Sequence, residues 1–244
     1  MSTTTPPAPR RRLLLGAVAA LGLMLGACTS DDEPTSGGDD QPTSESPSGE
    51  SPSSESPSGA APTSEAADAS VCGLSVKPDV DPAALDVDWV EDSHLGYPAS
   101  EQAGPAATAE AGYRYCYQHS TGGALLFLAN GLAQAVNPDL VEAFAEYAVA
   151  DGPRREEMLD RVRTVDVGPY DPVIAGYAVR EADEDSASIA IVVEAGEEDG
   201  PPHLVAVTAD LVWRDGDWKL SSEKAQSVRY ELVHSLDDYV AWGP

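Results

Sequence analysis

An α+β fold, with helices first and a curved antiparallel sheet after them, follows from three observations in the 244-residue sequence. Between Gly122 and Arg163 apolar residues recur at a helical period; after Gly168-Pro169 the period drops to two. Near the end, Trp213-Arg214-Asp215-Gly216-Asp217-Trp218 sets a two-residue turn signal between paired aromatics, the local pattern of a β-hairpin.

Residues 1–27 read as a secretory signal. Arg10, Arg11 and Arg12 precede a wholly apolar run from Leu13 to Ala27, the charged-then-apolar order of an exported chain. That run is short for a bilayer span. No Ser/Thr-Arg-Arg-x-Phe pattern surrounds the arginines, so general secretion is expected over twin-arginine export. Leu25-Gly26-Ala27-Cys28 resembles the lipobox of bacterial lipoproteins. The resemblance implies diacylation of Cys28, removal of the signal, and a cell-membrane location on the extracytoplasmic face.

Residues 28–70 then form a disordered tether behind that cysteine. From Thr29 onward they are Ser, Pro, Thr, Gly, Glu and Asp with hardly a large apolar side chain, and ten acidic residues face no basic one. Such a chain has no apolar surface to offset its ordering entropy, and self-repulsion extends it. Its flexible reach is roughly 35 Å, which stands a folded body off a membrane.

Charge narrows the function classes. The formal charge is −28; without the three signal arginines, 11 basic residues oppose 42 acidic ones, a balance of −31. Phosphate backbones repel such a polyanion, so no nucleic-acid partner is expected, and the membrane partner is engaged through lipid instead of charge.

Residues 71–244 are expected to be one extracytoplasmic domain. Glycine and proline break the chain between Val71 and His119 every few residues, leaving room for short strands around Val87 to Glu91 and Tyr113 to Gln118. With Cys28 lipidated, Cys72 and Cys116 remain as a pair in an oxidising compartment, where a disulfide is expected. Metal ligation or a redox dithiol are the alternatives, but there is no Cys-x-x-Cys spacing and no histidine cluster nearby.

The first helix starts near Gly122 behind a Ser120 or Thr121 cap, with Ala124, Leu125, Leu128, Ala129, Leu132 and Val136 facing inward. Asn137-Pro138-Asp139 is expected to end it and to start a second, Asn137 as cap and Pro138 in its first turn. A third follows Asp151-Gly152-Pro153 and runs to about Arg163, burying Met158, Leu159 and Val162. Strands come next, from the alternation at Val173 to Val179, Ile189 to Val193 and Val205 to Trp213. The hairpin register sets Arg214 opposite Asp217 and Trp213 opposite Trp218. A last strand runs on from Lys219 toward Glu231, and the aromatic tail Tyr239 to Trp242 packs back on the body.

Helices followed by a meander ending in this Trp-x-Asp-Gly-x-Trp hairpin resemble the nuclear-transport-factor-2-like, or cystatin-like, fold over roughly Gly122 to Tyr230. A second resemblance rests on Cys72-Gly73-Leu74, Gly104-Pro105, Cys116, Gly123-Ala124-Leu125 and Trp242-Gly243-Pro244. It points to an actinobacterial family of secreted lipoproteins associated with conjugation regions. What it implies is an envelope component with protein partners, in a conjugative type IV secretion apparatus. Subunits of that kind usually carry a transmembrane helix, whereas this chain carries a lipidation signal.

Catalytic constellations are sparse. His94, His119, His203 and His234 are scattered without metal-ligand spacing, and no Gly-x-Ser-x-Gly, Ser-x-x-Lys or phosphate-loop lysine occurs. Asp183-Glu184-Asp185 and Glu197-Glu198-Asp199 lack the alternation of a calcium loop and read as solvated turns. No metal and no cofactor is expected. Within the resembled fold, Phe144, Tyr177, Trp213 and Trp218 are candidates to line a pocket or fill the core. Asp210, between Ala209 and Leu211 in an expected strand, is the carboxylate that can serve as a base there, as in steroid isomerases of this class. The expected function is a lipid-anchored, non-enzymatic binding or assembly domain; the alternative is a small-molecule binder or isomerase-like enzyme using a cone-shaped pocket.

Overall fold

The computed structural model describes residues 69–74, 81–164, 172–196, 202–224 and 226–244. The expected signal, Cys28, the acidic run 197–199 and all but the last two residues of the expected tether lie outside them. Among the described residues no helix is long and apolar enough to cross a membrane.

Ser70, assigned to the tether on composition, is buried, and its hydroxyl accepts from Leu74 N at 2.6 Å. Cys72 is joined to Cys116 by the expected disulfide. Beyond them the glycine- and proline-broken section folds into a 3-10 turn, Pro82–Ala84, and four short strands: β1 Asp88–Val90, β2 Tyr97–Ala99, β3 Ala107–Thr108 and β4 Arg114–Tyr115. They pair as two small antiparallel ribbons. β2 and β3 carry no alternation readable in the sequence, since each is only two or three residues long.

Helix α1, Thr121–Ala135, is capped as expected: Ser120 accepts from Gly123 N at 3.1 Å. The chain passes so close here that a Cβ on Gly123 would sit 2.0 Å from Gln118 O. All of Thr121 to Asn130 is buried, so α1 is the axis of the domain. Its polar residues are used internally. Asn130 Nδ2 donates to Pro98 O at 2.8 Å and its Oδ1 accepts from Arg114 Nε at 3.0 Å; Gln134 Oε1 accepts from Arg114 N. These bonds fasten the ribbons to the helix, because buried amides unpaired would each cost about 1–3 kcal/mol.

Helix α2 is Val141–Ala148, not the earlier start set by Pro138. Asn137 Oδ1 accepts from Asp139 N at 2.9 Å and Asn137 O from Leu140 N at 3.1 Å, so Asn137 closes a turn on itself in place of capping a helix. Helix α3, Arg155–Thr164, follows and buries Met158 and Leu159.

Six antiparallel strands make the main sheet: β5 Val173–Ala182, β6 Ser186–Ala195, β7 His203–Arg214, β8 Asp217–Leu220, β9 Val228–Val233 and β10 Val240–Ala241. Their order is β10-β5-β6-β7-β8, with β9 also on β7. The expected strand from Lys219 to Glu231 is in fact two. β8 lies opposite Leu211 to Arg214 and β9 opposite Leu204 to Ala209, end to end along one edge of β7. Asp210 bridges the break, accepting from Ser221 N and donating to Ser227 O. Ile189, Ile191, Val193, Ala209 and Leu211 turn one face of the sheet onto α1. The tail packs back as expected, with Trp242 edge-on to Trp89 and Tyr177 at 5.0 and 5.4 Å.

Candidate functional site

Two places concentrate chemistry: a cavity between the helices and the sheet, and a buried carboxylate in the hairpin.

The cavity has a volume of about 360 Å³. Phe127, Leu128 and Phe144 line it from the helices, and Val207, Leu220 and Val228 from the sheet. It exists because the helix residues facing each other are small. Gly131 presents no side chain to Phe144, whose Cζ would stand 3.4 Å from a Cβ there, and Ala135, Ala145 and Ala148 border the same space. Only Arg161, Ser227 and Tyr230 bring polar atoms to the wall. Arg161 forms an ion pair with Glu157 on its own helix, and Tyr230 is 71% exposed on β9. Among the described lining residues there is no carboxylate, histidine or thiol. Such a wall holds apolar matter and offers no group to take or give a proton at neutral pH. An apolar cavity of about 150 Å³ already admits benzene; this one is more than twice that size.

Asp217 is fully buried. The hairpin puts it there: Asp215 and Gly216 take φ of 55° and 74°, the left-handed pair that a two-residue turn matched to strand twist requires. Its Oδ1 accepts from Tyr117 N at 2.8 Å and Trp218 N at 3.0 Å. Its Oδ2 accepts from Cys116 N at 2.7 Å and the Tyr147 hydroxyl at 2.5 Å. A carboxylate has about four acceptor positions, and all are filled. Beside it, Lys219 Nζ donates to Tyr147 O at 2.9 Å and lies 3.1 Å from the Tyr147 ring centroid. Burial pushes the Asp217 carboxyl up from the ordinary carboxylate range, against the donors and Lys219 that pull it down. The same burial pushes Lys219 down to about 8 and Tyr147 well above the usual phenol range. With every lone pair committed to backbone amides and one hydroxyl, this cluster is a clasp. It ties the hairpin to the Cys116 segment and to α2.

The five residues singled out for a pocket do not converge. Phe144 lines the cavity. Tyr177 packs under Trp242 at the far strand edge. Trp213 and Trp218 pair across the hairpin in the core, where Trp213 stacks on His119 at 4.1 Å. Asp210 points to the outer face of the sheet, taking two 3.0 Å bonds from Arg229 and one of 2.9 Å from Ser188. These bonds and the Arg229 charge hold its carboxyl below the usual range although burial works against them. A carboxylate kept ionised outside the cavity is not the base that the isomerase alternative needs. Cys28 lies outside the described residues. Among the described residues no group of three or more His, Cys, Asp or Glu side chains gathers as a metal site.

Asp217, Tyr147 and Lys219 were not singled out from the sequence. The pairing with Arg214 does hold as register, but the Arg214 guanidinium instead donates to Trp213 O. The available signal was a carboxylate one residue past a turn, next to Trp218 in sequence and on the opposite face of the hairpin.

A family model described as a domain of unknown function, DUF8175, matches residues 52–241. No curated protein matches the chain, and no solved structure does.

Proposed function

This chain belongs to the DUF8175 family, and we propose that it is a lipid-anchored, non-enzymatic binding domain of the cell envelope whose binding site is the apolar cavity. The observation that carries the reading is the cavity wall itself: about 360 Å³ bounded by aliphatic and aromatic side chains, with Arg161, Ser227 and Tyr230 as its only polar contributors among the described residues. That volume lies at the small end of ligand pockets, and its chemistry selects an apolar group of about two fused rings or a medium alkyl chain. The signal, Cys28 and the acidic tether support the placement at the extracytoplasmic face.

The test is a titration of the purified chain with an uncharged naphthyl fluorophore. Saturable binding that Gly131→Leu abolishes, by filling the space beside Phe144, supports the reading. Absence of saturable binding, or binding indifferent to that substitution, counts against it. Membership of a conjugative type IV secretion apparatus belongs to the same proposal and rests on the residue resemblance alone. Crosslinking from intact cells with the lipidated chain as bait that returns no envelope protein would remove it.

A further inference from the structure

The edge strand β9 is paired along one edge alone among the described residues: its inner edge is on β7, and no strand pairs with its outer edge. Natural sheets blunt such edges with charge, proline or covering segments, since an open row of amides and carbonyls templates another strand. β9 carries charge on one face only, at Arg229 and Glu231, and leaves the other face apolar. Tyr230 and Leu232 are 71% and 68% exposed, the two most exposed large apolar side chains among the described residues. Pairing of Tyr230 with Val207 and of Leu232 with Val205 sets them on the helix side of the sheet, and Arg229 and Glu231 alternate with them on the outer side.

The order Val228-Arg229-Tyr230-Glu231-Leu232 is complementary to its own reversal. An antiparallel pair centred on Tyr230 puts Arg229 of each copy opposite Glu231 of the other, Val228 opposite Leu232, and the two Tyr230 rings side by side. Opposite residues in an antiparallel pair share a face, so the charged pairs fall together on the outer side and the apolar pairs on the helix side. A one-residue slip would set apolar against charged side chains and exposes what the centred register covers. Arg229 donates to both oxygens of Asp210 and to Gln226 O, so its guanidinium is ordered before a partner arrives and the partner's Glu231 joins Asp210 as a second counter-charge. We propose that β9 is a homodimer interface: two copies join edge to edge about a two-fold axis through Tyr230, making one continuous antiparallel sheet. Such an isologous contact closes on itself and uses the open edge of β9 in both copies. The occupant is a second copy of this chain; a different strand would have to carry the same charge reversal. The inference does not depend on what the cavity binds.

Sedimentation of the full chain in detergent, at physiological ionic strength, reads the association. Arg229→Glu and Glu231→Arg each replace two attractive cross-strand pairs by repulsive ones, and each alone is expected to weaken self-association about tenfold. An equimolar mixture of the two variants restores it as a heterodimer, since both of its pairs are again opposite in sign. Because Arg229→Glu also disturbs Asp210, a second measurement avoids that pair. In intact cells under mild oxidation the chain carrying Tyr230→Cys gives a disulfide-linked dimer on a non-reducing gel. The chain carrying Val240→Cys, 47% exposed on the opposite edge strand β10, does not. A wild-type chain that stays monomeric throughout, a mixture that fails to restore association, or equal crosslinking at both positions overturns the proposal.

Discussion

Asp217→Ala is the substitution with the largest expected effect outside the core hydrophobics. It orphans four donors at once: the amides of Cys116, Tyr117 and Trp218 and the hydroxyl of Tyr147. Cys116, Tyr117 and Trp218 are almost wholly buried, so water reaches their amides only if the structure opens. An unsatisfied buried donor costs about 1–3 kcal/mol. Allowing for partial relaxation, the sum is about 4–6 kcal/mol, a large share of the roughly 5–15 kcal/mol that holds a domain together. Asp217→Asn keeps one accepting oxygen for two amides, and Tyr147 can turn its hydroxyl to accept from one hydrogen of the new amide; the second hydrogen and the Cys116 amide are left facing each other without an acceptor. Its expected cost is about 2 kcal/mol. Urea unfolding with the disulfide intact, followed by the fluorescence of the four tryptophans, measures both. A cost below about 1 kcal/mol for Asp217→Ala would refute the view that this carboxylate is the clasp of the hairpin.

Replacing Cys72 and Cys116 by serine together frees a loop with a sequence separation of 44; the chain-entropy model puts the loss at about 4 kcal/mol, measurable by the same denaturation curve. Gly131→Ala is expected to stabilise by about 0.5–1 kcal/mol through helix propensity, because the new methyl meets nothing closer than Phe144 Cζ at 3.4 Å; a thermal scan checks it. Lys219 has a pKa of about 8 in the folded chain against 10.5 as its ordinary value. Between the two the unfolded chain holds a proton that the folded chain has released, so stability climbs with pH, by at most about 1.4 kcal/mol per unit. Above 10.0 the sign reverses, since Tyr117 and Tyr147 ionise first in the unfolded chain. Urea midpoints from neutral to alkaline pH should therefore pass through a maximum, and Lys219→Met should flatten the rise. Asp210→Asn should cost no more than about 1 kcal/mol, as its partner is a half-exposed arginine, and should leave fluorophore binding in the cavity unchanged.

The succession of helices and strands was legible because each buries one face over several periods: Leu125 to Leu132 at a helical spacing, Ile189 to Val193 at alternate positions. Turn chemistry carried the hairpin register to the residue, since Asp215-Gly216 admits a single common loop. Pairing at long range left no such trace. Asp217 meets Cys116 across 101 positions, and nothing in either neighbourhood announces the other. The cavity escaped for a related reason. Aromatic side chains were the natural candidates for a pocket wall, yet three of the four fill space elsewhere, and the void is made by Gly131 and the alanines around it. Asn137 was misread because its side chain satisfies a turn as well as it satisfies a helix start, and only the geometry of the next three residues decides between them.

The junction at the N-terminal side of the domain fixes how the molecule would respond to tension. Val71 N donates to Gly216 O at 2.7 Å, and the next residue is bonded covalently to Cys116. A pull arriving along the chain from its N-terminal side therefore crosses at Cys72 into the hairpin clasp, and the stretch between the two cysteines carries none of it. At the contour of an extended chain, a separation of 44 residues is roughly 150 Å of slack kept out of the line of force. One sulfur-sulfur bond is the latch on that reserve of length.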